Sequence, residues 1–164
     1  MKTQLLKIKD AKPDALYMLA FPADATIVLK QAREVGFTGQ IVGADGSKDD
    51  AVITGAGAAA EGFIVSAVGV PETPELNVFN TAFKAKFGKD WQPYTPEAYD
   101  ATMILAKACA ATDCTSPAMK DYLYNMGEYK GASGTYTFDS DGEVKKPYDM
   151  YAVKDGKWIK SGLV

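Results

Sequence analysis

The sequence contains no histidine, and this absence excludes more chemistry than any residue present suggests. Without an imidazole there is no Ser-His-Asp or Cys-His nucleophile pair and no ordinary zinc site. Catalysis would have to rest on carboxylates, lysines or tyrosines, so a non-catalytic role is expected. Cysteine is nearly absent as well: Cys109 and Cys114 have neither the pair spacing of a zinc ribbon nor the two-residue spacing of a redox motif. Cys109 falls near the end of a predicted helix and Cys114 in the turn after it, so chain reversal can bring them within disulfide reach. A small-loop disulfide and two unpaired thiols both stay open, and an oxidising compartment would tip the choice to the former.

An excess of basic residues is also missing. Lys and Arg number 18 against 21 Asp and Glu, a net charge of −3. No phosphate-tracking surface is expected, so neither nucleic acid nor an acidic membrane is a favoured partner. No stretch approaches the roughly 20 consecutive apolar residues that span a bilayer. The start Met1-Lys2-Thr3 lacks the apolar segment of a signal peptide, and the chain as given is expected to be soluble. With 164 residues it can form one domain with a sizeable core or parts of two.

What is present alternates. Thr3–Lys9 reads as the end of a helix, and Pro13-Asp14 turns into the apolar run Ala15–Ala20, whose length suits a buried parallel strand. A helix is predicted over Ala23–Val35, with Ile27, Val28, Ala32 and Val35 toward a sheet and Gly36 at its stop. Gln40–Val42 reads as a second strand, Asp49–Gly55 as a short helix and Phe63–Ala67 as a third strand. The order implies right-handed crossovers and a parallel sheet flanked by helices, an α/β fold.

After Val70 the pattern changes. Pro71-Glu72-Thr73-Pro74 is a stiff connector whose last two residues fit an N-cap and first helical position. Leu76, Phe79, Phe83 and Phe87 form one apolar helix face. A second helix, from Thr95 to about Ala111, is so rich in apolar residues that it is predicted to be largely buried, and a third follows over Pro117–Met126. The tail is β-type: Thr135–Phe138 alternates, Asp141-Gly142 gives a turn, and Tyr148–Lys154 with Lys157-Trp158-Ile159 around Asp155-Gly156 reads as a hairpin.

Asp45, in the loop Gly43-Ala44-Asp45-Gly46 at the end of the second predicted strand, is the most informative candidate. Open α/β sheets place ligand contacts there, and a fixed carboxylate can hold an amino group. An ordinary turn also favours Asp before Gly. Asp24 fits the first turn of a helix better than a ligand site. Asp45, Asp49 and Asp50 lack the spacing of a calcium loop, so they read as a solvated helix start and no metal is expected. Gly55 through Ala60 approximates a dinucleotide fingerprint, but it follows a helix and precedes a strand, the reverse of what that motif needs. It reads as a flexible connector, and no cofactor is expected.

Several segments carry a family resemblance. Lys7 through Leu16 (KIKDAKPDAL) and Leu29 through Gly36 (LKQAREVG) resemble the second half of type I periplasmic solute-binding proteins, closest to the leucine/isoleucine/valine-binding proteins of ABC importers. Ala60-Glu61-Gly62-Phe63, Ala98-Tyr99-Asp100-Ala101, Gly131 through Gly142 (GASGTYTFDSDG) and Tyr151 through Lys157 (YAVKDGK) follow in family order. Such proteins are about twice this long, with two flavodoxin-like α/β lobes closing on ligand. The resemblance implies a partial two-lobe fold: residues 1–68 and 148–164 in the second lobe, 69–147 in the C-terminal part of the first, and the N-terminal half of the parent absent.

The resemblance further implies capture of a small amino acid or related carboxylate in the periplasm or another extracytoplasmic space, for delivery to an ABC permease in the membrane. Position by position, it makes Asp45 the holder of the ligand ammonium, Phe21 a pocket-lining aromatic and Tyr94 an aromatic packing on the ligand side chain. Two departures stand out: the acid in the family is often the longer glutamate, and a tyrosine is expected where Phe21 stands. With half of the cleft absent, weak or no solute binding by this chain alone is expected. A self-associating homo-oligomer is the alternative, because exposed sheet edges invite pairing. A flavodoxin-like enzyme is the other.

Overall fold

The computed structural model describes residues 1–162. It divides into two compact units, Met1–Val68 with the chain from Tyr148 onward, and Gly69–Pro147. Leu163 and Val164, the end of the segment assigned above to 148–164, lie outside the described residues.

The first unit is built on a mixed five-stranded sheet. Its strands are β1 (Ala15–Met18), β2 (Gln40–Gly43), β3 (Ile64–Val68), β6 (Tyr148–Lys154) and β7 (Lys157–Ser161), in the spatial order β1-β2-β3-β6-β7. The first three are parallel, with Met18 opposite Gly43. The expected parallel sheet thus extends only that far. β6 and β7 form the predicted hairpin, and β6 runs antiparallel to β3.

Three helices accompany the sheet: α1 (Lys2–Asp10), α2 (Pro22–Glu34) and α3 (Asp50–Ala56). Their ends follow from local chemistry. Pro22 occupies the start of α2, where its missing N–H costs nothing. The helix ends where Gly36 takes φ +79° and Phe37 N–H reaches back to the Ala32 carbonyl at 2.9 Å, a left-handed stop that glycine adopts without strain. Asp49 caps α3 by accepting from Ala51 N–H at 2.7 Å, so this carboxylate is spent on a helix start as its position predicts.

The core of the unit joins Leu29 and Ala32 of α2 to Ile41 and Val65 of the strands and to Phe63, just before β3. The α2 face toward it is Ala25-Leu29-Ala32, and Ile27, expected there, is exposed. The small side chains Ala25 and Ala32, on one stripe with Leu29, let the helix lie close, whereas Ile27 falls on the other side of the turn. The Gly57–Ala60 stretch is no flexible connector: it forms a 3₁₀ turn that buries Ala60 fully.

The second unit contains α4 (Pro74–Phe87), α5 (Thr95–Ala111), α6 (Ser116–Asn125) and a separate ribbon of β4 (Tyr129–Gly131) and β5 (Gly134–Tyr136). Sequence reading finds β5 but misses β4, whose three residues are too few to show a period. Thr73 caps α4 by accepting from Leu76 N–H at 3.1 Å, and Gly88 closes it at φ +69°. Leu76 and Phe79 are buried with Ala132, while Phe87, expected on the same apolar face, is exposed.

α5 is not largely buried. Pro96, Asp100, Ile104 and Ala108 form its single buried stripe, and Tyr99, Met103 and Leu105 are exposed. Apolar composition reports how much surface a helix wants to cover. It does not report how much this chain covers.

Candidate functional site

The parallel pairing of β1 and β2 puts their carboxyl ends side by side, Met18 opposite Gly43. The loops leaving those ends therefore emerge on the same edge of the sheet. Open α/β sheets bind ligands at such an edge.

Asp45 begins a 3₁₀ turn, Asp45–Ser47, directly after β2. Its Oδ1 accepts from Gly46 N–H at 2.9 Å, and its carbonyl accepts from Lys48 N–H at 2.9 Å. Ser47 is fully buried and donates its hydroxyl to the Ala44 carbonyl at 2.8 Å, which fixes the turn from beneath. Among the described residues no group bonds Asp45 Oδ2. The turn reading and the ligand reading are thus compatible: one oxygen orders the loop and the other remains an acceptor.

Phe21 sits at the N-cap of α2 with extended backbone and 76% of its surface exposed. It is no core aromatic. A Cβ placed on Gly46 would lie 3.5 Å from Phe21 Cδ1 and 3.5 Å from the Ala20 carbonyl oxygen. The ring therefore stands over the residue next to Asp45. The pair offers an apolar surface beside an anionic acceptor, the combination that holds an ammonium group attached to an apolar body.

Lys48, which sequence reading passed over, directly follows this turn and is partly buried. Its ammonium lies 4.2 Å from the centroid of the Tyr151 ring on β6. Burial pushes its pKa below the usual lysine range, with Asp50 acting in the opposite sense. No pattern in the sequence links Lys48 to Tyr151, because the contact depends on β6 entering the sheet beside β3.

Tyr94 belongs to the second unit. It is the N-cap of α5, held at φ +68°, and its carbonyl accepts from Ala98 N–H at 2.9 Å. The left-handed backbone turns the chain sharply into the helix and leaves the side chain about half exposed. Cys109 and Cys114 are disulfide-bonded across the turn after α5. Among the described residues no cluster of acidic or sulfur ligands can hold a metal, and no helix is long and apolar enough to cross a membrane.

The segments that carry the family resemblance meet in pairs. Asp100 of AYDA is fully buried and accepts from Ala132 N–H at 2.8 Å, Ser133 N–H at 2.7 Å and the Ser133 hydroxyl at 2.7 Å, all in GASG. Gly131 must be glycine there, since a Cβ would collide with the Asp100 carboxylate. Glu61 of AEGF accepts from Asp155 N–H at 3.0 Å in the hairpin turn of AVKDGK, beside the backbone bond from Val153 N–H to the Phe63 carbonyl at 2.9 Å. These contacts are within one unit or the other, and each serves the fold.

The chain is similar to known proteins over most of its length. The family model described as periplasmic binding protein matches residues 1–157. The Leu/Ile/Val-binding protein homolog 1 of Brucella suis is 29% identical over 165 residues, covering 95% of this chain and 41% of that protein. The crystal structure of a leucine-binding protein, LivK, from Thermotoga maritima superposes with a TM-score of 0.86 at 26% identity, over 98% of this chain and 47% of the other. The branched-chain amino acid substrate-binding protein LivJ of Streptococcus pneumoniae, solved with isoleucine, gives a TM-score of 0.77 at 25% identity, over 97% and 48%. The chain thus spans between two-fifths and half the length of these three proteins.

Proposed function

We propose, because this chain belongs to the periplasmic binding protein family, that it serves reversible, non-catalytic capture of a small amino acid by an extracytoplasmic binding protein of an ABC importer. In this reading the unit of residues 1–68 and 148–162 is part of the second lobe, and residues 69–147 are the C-terminal part of the first. Asp45 holds the ligand ammonium and Phe21 lines the pocket. Tyr94 packs on the ligand side chain.

The observation that carries the proposal is the Asp45 carboxylate, ordered through Oδ1 by Gly46 with Oδ2 unbonded among the described residues, beside the exposed Phe21 ring. A charge-assisted bond to an ammonium and an apolar wall for the adjoining side chain together favour an α-amino acid with an aliphatic side chain over a sugar or a metal ion. The relatives described as leucine-, isoleucine- and valine-binding support the same class. Closure would then be driven by ligand, because only the closed state makes both sets of contacts.

Amide chemical shifts during titration with leucine, isoleucine and valine test the assignment. Weak binding is expected, with shifts concentrated at Gly46, Ser47 and Phe21 that saturate only in the millimolar range and vanish in Asp45→Ala. Shifts unchanged by that substitution would remove Asp45 from the site. Submicromolar affinity of the 164-residue chain would contradict the half-cleft reading.

A further inference from the structure

The turn that carries Asp45 is closed by bonds among its own neighbours. The Asp45 carbonyl accepts from Lys48 N–H at 2.9 Å, the Ala44 carbonyl from Ser47 N–H at 3.0 Å and from the Ser47 hydroxyl at 2.8 Å, and the Ser47 carbonyl from Asp49 N–H at 3.1 Å. These bonds join residues 44–49 to one another, so they set the shape of the turn and leave its seating on the sheet to side chains. Lys48 supplies such a seat. Its ammonium lies 4.2 Å from the centroid of the Tyr151 ring, and the strand register fixes that ring. Gly43 pairs with Val65 and Val65 with Tyr151, one row across β2, β3 and β6. Tyr151 therefore stands two strand spacings, about 10 Å, from the root of the turn. β6 is an inner strand, with Lys160 of β7 opposite Tyr151 on its other side, and the ring packs against the core of the unit.

We propose that Lys48 is a positioning residue for the solute site: its contact with Tyr151 holds the turn so that the Asp45 carboxylate meets an ammonium group at bonding distance and direction. The proposal rests on reading Asp45 as the holder of the ligand ammonium. Charge-assisted bonds weaken steeply with misalignment, so a turn of correct shape that rocks on the sheet binds less well than one that is anchored. An ammonium on an aromatic face is attracted more strongly once it has lost part of its water. Lys48 is half-buried, and that burial holds its pKa below the usual lysine range. Asp50, the first residue of α3, attracts the same ammonium, and variants of Tyr151 separate the two partners.

Amide exchange and leucine titration of the 164-residue chain, read residue by residue by NMR, test the proposal. Protection at Gly46, Ser47 and residue 48 is expected to fall about fivefold in Lys48→Met, which keeps an unbranched stem and loses the charge, and in Tyr151→Leu, which loses the ring. Lys48→Arg and Tyr151→Phe keep a cation and a ring, and are expected to hold protection to within about twofold of the parent. In Lys48→Met the leucine affinity is expected to weaken about threefold or more, while the urea midpoint of the first unit, followed by Trp158 in a Trp91→Phe background, stays at the parental value. Protection unchanged in Lys48→Met, or lost across the whole unit as general destabilisation would give, overturns the proposal. So does protection that Lys48→Met lowers and Tyr151→Leu leaves intact, because Asp50 would then be the partner that counts. A parent chain whose leucine shifts do not depend on Asp45 refutes the solute reading and with it this role for Lys48. An Asp45-dependent response that Lys48→Met leaves at parental affinity overturns the role of Lys48 alone.

Discussion

Replacing Asp100 by alanine is expected to destabilise the second unit selectively. The carboxylate is fully buried and accepts three hydrogen bonds, from two backbone N–H groups and the Ser133 hydroxyl, at 2.7 to 2.8 Å. A hydrogen bond to a charged group contributes about 1.5–3 kcal/mol net, and each buried donor left unsatisfied costs about 1–3 kcal/mol. These terms are not additive, because the Ser133 hydroxyl keeps its bond from the Lys146 ammonium at 2.8 Å and the loop can relax. The expected loss is therefore about 3–5 kcal/mol, a large share of the 5–15 kcal/mol that typically holds a domain. The two tryptophans provide separate reporters, since Trp91 lies in the second unit and Trp158 in the first. Urea unfolding in a Trp158→Phe background, followed by Trp91 fluorescence, reads the loss directly. Asp100→Asn keeps the shape but turns a donor toward a donor, and is expected to lose about 2 kcal/mol. A loss below about 1 kcal/mol for Asp100→Ala, or an equal shift in a Trp158 reporter, would refute the staple.

Two further predictions follow from the same unit and its neighbour. Breaking the Cys109–Cys114 bond with a mild reductant, or by Cys109→Ser with Cys114→Ser, is expected to cost about 2 kcal/mol by the chain-entropy relation for so short a loop, read by Trp91 in urea. At high pH the second unit is expected to lose stability. Burial raises the Tyr136 pKa, with Asp100 adding to it, and raises that of Tyr129. Above the ordinary tyrosine value of 10.0 the folded second unit thus holds protons that the unfolded chain has lost, and its stability falls as pH rises. In the first unit the lowered Lys48 pKa acts in the other direction, since the unfolded chain binds the extra proton up to the ordinary lysine value of 10.5, while the raised pKa values of Tyr151 and Lys160 oppose it. Thermal melts from pH 8 to 11 followed by Trp91 in a Trp158→Phe background check the fall of the second unit, and Tyr136→Phe is expected to flatten it.

Most of the fold was legible because its signals are local. Asp49, Thr73 and Gly36 mark helix ends through bonds made within a few residues, so their meaning does not depend on distant chain. The hairpin of β6 and β7 was legible for the same reason, through Asp155-Gly156. The errors arose where a partner far along the chain decides. Ile27 lost its place to Leu29 and two alanines once the sheet set the angle of α2. The helix over Thr95–Ala111 was expected to be covered on all sides, and the chain covers only one stripe of it.

The candidate site divides in the same way. Sequence alone placed Asp45 in a strand-end loop, named Phe21 and Tyr94 through family resemblance, and excluded imidazole chemistry outright. It also supplied the resemblance itself, through short segments whose spacing is kept. Tertiary structure decided what those segments do: AYDA grips GASG through Asp100, and AEGF grips AVKDGK through Glu61, across 33 and 94 residues. It decided as well that Phe21 stands over Gly46 and that Lys48 lies on Tyr151. A hydrogen-bonded staple needs two groups at a fixed distance, and only the folded backbone sets distances between residues so far apart in the chain.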